Sequence, residues 1–260
     1  MSELPYAKKT LGQHWLTDPE ALKAIVEAAG VRSDDTVLEI GSGSGTLTKF
    51  LTEQAREVVA VEFDKSLATA LPAQVPAPNL TIVHQDIMKF DLTSLPLGYK
   101  VVANIPYYLT SNLIRNLSES SNPPAVAVLL VQQEVAQRVT AKPGAMSLLS
   151  VSAQFYWEAD LGRKVPANLF TPPPKVDSQI LILKRRPTPL FEVDEKQFFR
   201  LVRAGFSNRR KTLLNSLSGG LQKSKDEISA ILISANLNPQ SRPQELSLEN
   251  WYSLYRQLHG

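Results

Sequence analysis

Between Thr36 and Lys184 the chain alternates short β-branched apolar runs with helical stretches, and this alternation restricts its fold more than any other feature. The runs TVLEIG (36–41), EVVAVE (57–62), LTIVHQD (80–86), KVVANI (100–105) and AVAVLLV (125–131) are apolar almost throughout, as strands buried on both faces are. Two further strand candidates follow, one near YWEADLGRKV (156–165) and one at SQILILKR (178–185). Helical stretches lie between the runs, among them TLTKFLTEQA (46–55), SLATALPA (66–73) and LTSNLIRNLSES (109–120). Strands joined through helices run parallel, so the expectation is an α/β, Rossmann-like doubly wound domain with a mostly parallel seven-stranded sheet.

After KRRPTPL (184–190) the strand signal stops. Pro187 and Pro189 interrupt backbone pairing. Beyond them EKQFFRLVRAGF, RKTLLNSLSGGL, DEISAILISA and LENWYSLYRQL space their apolar residues as helices do. The expected division is residues 1–187 as the α/β domain and 188–260 as a small all-helical domain.

Charge divides along a similar line. Residues 1–180 carry 15 Lys and Arg against 18 Asp and Glu, a net of −3, while residues 181–260 carry 13 against 7, a net of +6. A basic segment appended to an acidic one suits an enzyme with a polyanion-binding attachment, although a solvated helical surface has the same composition. There is no cysteine, which excludes disulfides, thiolate zinc sites and a cysteine nucleophile, and suits a reducing compartment. With neither a secretory signal nor a run long enough to span a bilayer, the expectation is a cytoplasmic protein with no membrane partner.

The chemistry concentrates at strand ends. In VLEIGSGSGTLT (37–48) a buried strand ends at Ile40, and Gly41, Gly43 and Gly45 lead into a helix. Glycines there allow a sharp turn and a close approach of backbone to ligand. The second strand ends in Glu62, whose carboxylate is suited to accept hydrogen bonds from both ribose hydroxyls of an adenosine-containing cofactor. A dinucleotide site is the rival, and a plain βα turn the simpler alternative. Glu39 within the first strand, giving E-x-G-x-G-x-G, favours S-adenosylmethionine over a dinucleotide. So does the acid that ends the third run: Asp86 can accept from the adenine amino group with Ile87 beside the ring, or merely cap a turn.

The most specific motif is NIPYY (104–108), directly after the fourth strand. The amino nitrogen of adenine is a poor nucleophile because its lone pair is delocalised into the ring. The side-chain oxygen of Asn104 and the backbone carbonyl of Ile105 are suited to accept its two N–H bonds. Pro106 holds the turn, and Tyr107 offers a face to an unstacked base. Such contacts favour the pyramidal nitrogen of the transition state over the flat ground state.

These segments together resemble the KsgA/RsmA-like rRNA adenine dimethyltransferases. The resemblance runs from about Lys8 to at least Lys211 and is carried by KKTLGQHWLTD (8–18), LEIGSGSGTLT, AVEFD (60–64), HQDI, NIPYY and FTPPPKVDS (170–178). It implies that the segment Gln13-His14-Trp15-Leu16 folds over the cofactor, with His14 and Leu16 in contact alongside Gly41, Gly43, Glu62, Asp86, Ile87 and Asn104. His14 and Trp15 replace the Asn and Phe common at these positions. Phe170 is expected either to flank the target base opposite Tyr107 or to sit in the core.

The resemblance further implies a C-terminal domain that grips structured ribosomal RNA, with Arg200, Arg203, Arg209, Arg210 and Lys211 as phosphate contacts. Lys8, Lys9 and the KRR of 184–186 are possible extensions of that surface. The implied reaction is transfer of methyl groups from S-adenosylmethionine to N6 of two adjacent adenosines near the 3′ end of small-subunit rRNA. No metal is called for, the partner is the small ribosomal subunit, and the expected state is a monomer without an obligate protein partner. The rivals are a large-subunit rRNA methyltransferase, which shares N-I-P-Y, and a binding protein that has lost turnover. A DNA adenine methyltransferase fits less well, since those carry D-P-P-Y where Asn104 begins the motif here.

Overall fold

Chain segments that must bury both faces of a strand pack into the middle of a sheet, and four of the five apolar runs do so; LTIVHQD (80–86) instead forms an edge strand, with Thr81 and His84 exposed, because an edge buries less of its surface. The computed structural model describes residues 5–208 and 210–259, with only the backbone of Lys9. In chain order the elements are β1 (Trp15–Leu16), α1 (Pro19–Ala29), β2 (Thr36–Ile40), α2 (Thr46–Gln54), β3 (Glu57–Glu62), α3 (Lys65–Gln74), β4 (Leu80–His84) and β5 (Lys100–Asn104). There follow α4 (Thr110–Glu119), β6 (Val126–Gln132), α5 (Gln133–Val139), α6 (Leu148–Tyr156), β7 (Trp157–Val165), β8 (Phe170–Thr171) and β9 (Ser178–Arg185). The tail carries α7 (Glu195–Gly205), α8 (Leu213–Leu221), α9 (Lys225–Ser234) and α10 (Leu248–His259).

The sheet order is β4-β3-β2-β5-β6-β9-β7. Strands β4 to β6 are parallel neighbours, and β9 runs antiparallel to β6. From β2 the chain winds outward through β3 and β4, then returns to β5 on the other side, so the winding reverses between β2 and β5. The loops at the carboxyl ends of the two strands diverge there and open a crevice. All five residues of β2 are buried. Helix α1 packs over the neighbouring strands β5 and β6: Asp18 caps it by accepting from the Ala21 N–H, Pro19 opens the first turn, and Ala21, Leu22, Ile25, Val26 and Ala29 are buried at helical spacing.

The described residues divide into two compact units, 5–136 with 158–185, and 137–157 with 186–208 and 210–259. This differs from a single cut at residue 187. Residues 137–157 belong with the tail because of their aromatic and backbone contacts. Phe155 lies 5.2 Å from Phe198 and 5.3 Å from Phe199, ring centre to ring centre. The Leu190 N–H donates to the Phe155 carbonyl at 2.9 Å, and the Gly144 N–H to that of Gln244 at 2.8 Å. No helix among the described residues is long and apolar enough to cross a membrane.

Candidate active site

The sheet register sets the site. Ile40 stands opposite Val61 on β3 and Ala103 on β5, and Glu62 opposite His84 on β4. The four strands therefore end level, and one cleft runs along their carboxyl edge. It is lined by Gly41 and Gly43 after β2, Glu62 at the end of β3, Asp86 and Ile87 after β4, and Asn104 to Tyr108 at the end of β5. Three strand spacings separate β4 from β5, about 14 Å.

Gly41 and Gly43 have φ of 74° and 56°, in the left-handed region that side chains disfavour. The turn is braced by Glu62, whose carboxylate accepts from the Gly43 N–H at 2.9 Å and the Asp64 N–H at 2.8 Å. Burial pushes Glu62 above the usual carboxylate range, while those backbone bonds pull it back. A carboxylate has about four acceptor sites, so these bonds leave capacity for a further hydroxyl. Beneath the turn, Glu39 is 1% exposed, and neither of its oxygens has a hydrogen-bond partner among the described residues. Burial pushes it up to about 8; the Thr48 hydroxyl, close by but outside hydrogen-bond geometry, opposes this and the Glu62 charge adds to it. Glu39 is therefore a neutral acid at neutral pH.

A strap from the N-terminal segment closes one side. Residues 15–16 pair antiparallel with residues 170–171, Leu16 opposite Phe170. Lys8 Nζ lies 2.7 Å from Asp64 Oδ2. Burial works against that carboxyl, but Lys8 and the Ser66 hydroxyl and N–H hold it down at about 2. The Trp15 indole donates to the Pro5 carbonyl at 2.8 Å and packs on Gly43. His14 Nδ1 lies 2.7 Å from the Pro172 carbonyl oxygen, so the protonated nitrogen is Nδ1. The Thr46 hydroxyl donates to the Leu16 carbonyl at 3.0 Å.

At the far end, Asn104 Nδ2 donates to the His14 carbonyl at 3.4 Å. With Nδ2 committed to a carbonyl, Oδ1 is the end of the amide left to accept. Tyr107 is half-buried, its hydroxyl 2.8 Å from Ser178 Oγ and its ring stacked at 6.2 Å from His14. Burial raises its phenol, and the Ser178 bond opposes that. Asp86 caps a short turn by accepting from the Met88 N–H at 3.0 Å, and the residue also borders the cleft. Ile87 is buried beside it. Phe170 is 3% exposed in the core cluster that includes Leu16, and it borders the cleft as well. Asp86 thus caps a turn and Phe170 packs in the core, and both residues border the cleft. Sequence reasoning missed Phe63 and Tyr108, exposed aromatics that line the cleft. An aromatic flanking a strand-end motif was the available signal for each.

The basic residues lie in the helical unit. Arg200 and Arg203 sit on the exposed side of α7, opposite buried Phe198, Leu201 and Val202; Arg210 and Lys211 are exposed in the following turn. Arg209 lies outside the described residues. Phe206, set among these charges in sequence, packs instead on Trp251 at 5.5 Å. Of the possible extensions, Lys8 is paired with Asp64, while Arg185 and Arg186 donate to the carbonyls of Ser118 and Gln154.

The family model described as ribosomal RNA adenine dimethylase matches residues 6–258. A ribosomal RNA small subunit methyltransferase A of Dehalococcoides mccartyi is 43% identical over 95% of this chain and 87% of its own length. One from Streptococcus pneumoniae is 42% identical over 97% and 92%. Among solved structures, a dimethyladenosine transferase from Plasmodium falciparum superposes with a TM-score of 0.79 at 27% identity, covering 93% of this chain and 96% of that one. The 23S rRNA methyltransferase ErmE does so with a TM-score of 0.78 at 30% identity, covering 95% and 100%. With a family model matched nearly end to end and curated relatives above two-fifths identity, the chain belongs to the ribosomal RNA adenine dimethylase family.

Proposed function

We propose that this protein transfers methyl groups from S-adenosylmethionine to N6 of two adjacent adenosines near the 3′ end of small-subunit rRNA, giving dimethyladenosines, and so serves small-subunit biogenesis in the cytoplasm. The observation that carries it is that Asn104 lines the cleft where β5 ends with its Nδ2 tied to the His14 carbonyl, which leaves Oδ1 as the acceptor of the amide. The choice of small-subunit rRNA follows the curated relatives, which bear that name.

The cleft fits the cofactor chemically. Glu62 has acceptor capacity for ribose hydroxyls, and Gly41 and Gly43 keep the turn free of side chains. Asp86 and Ile87 offer an acceptor and an apolar wall to adenine, while His14 and Leu16 close the strap. When bound, the cofactor supplies a methyl group activated by a sulfonium. The protein's own residues do the rest. Asn104 Oδ1 and the Ile105 carbonyl accept the two N6 hydrogens and favour a pyramidal nitrogen. Tyr107, pinned by Ser178 and His14, presents its ring to the base. The nitrogen becomes cationic on methylation, so its proton passes to water with those two oxygens as the only hydrogen-bond acceptors required. Positioning provides most of the acceleration. Arg200, Arg203, Arg210 and Lys211, together with Arg209, are the proposed phosphate contacts, which add affinity without choosing sequence.

Asn104→Ala tests enzyme against pure binder. The expected result is a loss of about 10²–10³-fold in transfer, as for removal of one preorganised polar group, with small-subunit affinity unchanged. Equal transfer by the variant and the wild type would overturn the assignment of Asn104.

A further inference from the structure

Two tyrosines follow Pro106, and they are differently engaged. Tyr107 is held by its hydroxyl and by His14. Tyr108 is 63% exposed and borders the same cleft, and no hydrogen bond or ring contact engages it among the described residues. The backbone of Gly12 stands beside one edge of its ring: a Cβ built there would lie 3.8 Å from Cδ1 and Cε1. The ring is thus supported on one side and open on the other.

Its position decides what it can meet. Glu62 ends β3 and Asp86 follows β4, at the end of the cleft suited to a nucleoside. Tyr108 follows β5, at the Asn104 end, where the methyl acceptor enters. A large aromatic face left open in a cleft is apolar area suited to a flat partner, and base stacking on such faces is sequence-tolerant because every base has a π-face.

We infer that Tyr108 is the stacking shelf for the nucleotide next to the target adenosine, holding the neighbouring base while Asn104 engages the reacting one. The inference rests on the proposed function. A sequence-tolerant shelf also suits a substrate in which two adjacent adenosines are modified in turn, since the neighbour differs between the two rounds.

The test compares Tyr108→Ala and Tyr108→Phe with the wild type on unmethylated small subunits. It measures kcat, KM for subunits, the Kd of S-adenosylhomocysteine by calorimetry, and direct subunit binding without cofactor. The expected result for Tyr108→Ala is a KM and a subunit Kd raised about 5- to 150-fold, the range for loss of one stacked base. Values of kcat and the S-adenosylhomocysteine Kd stay at the wild-type level, and Tyr108→Phe behaves as wild type because the ring, not the hydroxyl, is what stacks. An unchanged subunit Kd for Tyr108→Ala would overturn the inference, as would an S-adenosylhomocysteine Kd that weakens in step. A wild type that binds small subunits but transfers no methyl would refute the proposed reaction alone, and the binding comparison would still decide Tyr108.

Discussion

Gly43→Ala joins the strap, the glycine turn and the stability of the site in one experiment. Gly43 has φ of 56°, so any side chain pays about 1–2 kcal/mol for the left-handed backbone. A Cβ there would stand 2.7 Å from Trp15 Cζ3 and 3.2 Å from Cε3. Trp15 cannot yield cheaply, because it is 7% exposed and its indole donates to Pro5. Overpacking of this kind adds about 1–3 kcal/mol, for a total of about 2–5 kcal/mol.

Gly98→Ala is the control. Its φ of 79° imposes the same backbone cost, yet an added Cβ meets nothing within 4 Å, so about 1–2 kcal/mol is expected. Urea unfolding of both variants, repeated in a Trp15→Ala background, isolates the clash. Without the ring, Gly43→Ala falls to the cost of Gly98→Ala. If Gly43→Ala costs the same in both backgrounds, the strap does not pack on the turn as described, and the reasoning fails.

Other outcomes follow from the same geometry. Glu39→Gln keeps the shape of the buried acid and removes its titration. Because the folded pKa of about 8 lies above the unfolded 4.5, the folded state binds the extra proton and wild-type stability falls as pH rises from 4.5 to 8. The variant's gain in Tm over wild type is therefore larger at pH 8 than at pH 5; an equal gain at both would place Glu39's titration elsewhere. Asp64 carries the opposite sign. Its folded value of about 2 lies below 3.8, so its contribution is full above about pH 4 and lost as pH falls through 2, and Lys8→Met flattens that acid limb in a denaturation series. Arg200→Gln with Arg203→Gln lowers small-subunit affinity and reduces the slope of log K against log salt by about 2 if both meet phosphates, with S-adenosylhomocysteine binding unchanged. A slope equal to wild type would mean both side chains are merely solvated.

What the sequence revealed was what local pattern encodes. The runs EVVAVE and SQILILKR match the bounds of β3 and β9, and TVLEIG and KVVANI overrun β2 and β5 by one residue; for β2, β3 and β5 the reason is that strands buried on both faces are largely apolar. Gly41, Glu62, Asp86 and Asn104 were readable as a set because each sits where a strand ends, and the parallel register brings those ends level. What stayed hidden depends on distant partners. Nothing in residues 15–16 or 170–171 announces that they pair, since two-residue strands carry no periodicity. The insertion of β9 between β6 and β7 is likewise a tertiary choice. Residues 137–157 join the helical unit through Phe155 and its ring neighbours rather than through any break in composition. Phe206 stands among arginines in the sequence, yet its ring packs on a tryptophan 45 residues away.

The most direct test of the central claim is transfer of labelled methyl from S-adenosylmethionine to small subunits that lack the modification, with large subunits and naked rRNA in parallel, followed by nucleoside analysis. Label recovered as N6,N6-dimethyladenosine from small-subunit rRNA alone is the predicted result. Label in large-subunit rRNA would contradict the substrate and align the protein with the activity named for ErmE; no label in any arm, with S-adenosylmethionine still bound tightly, would contradict the reaction itself.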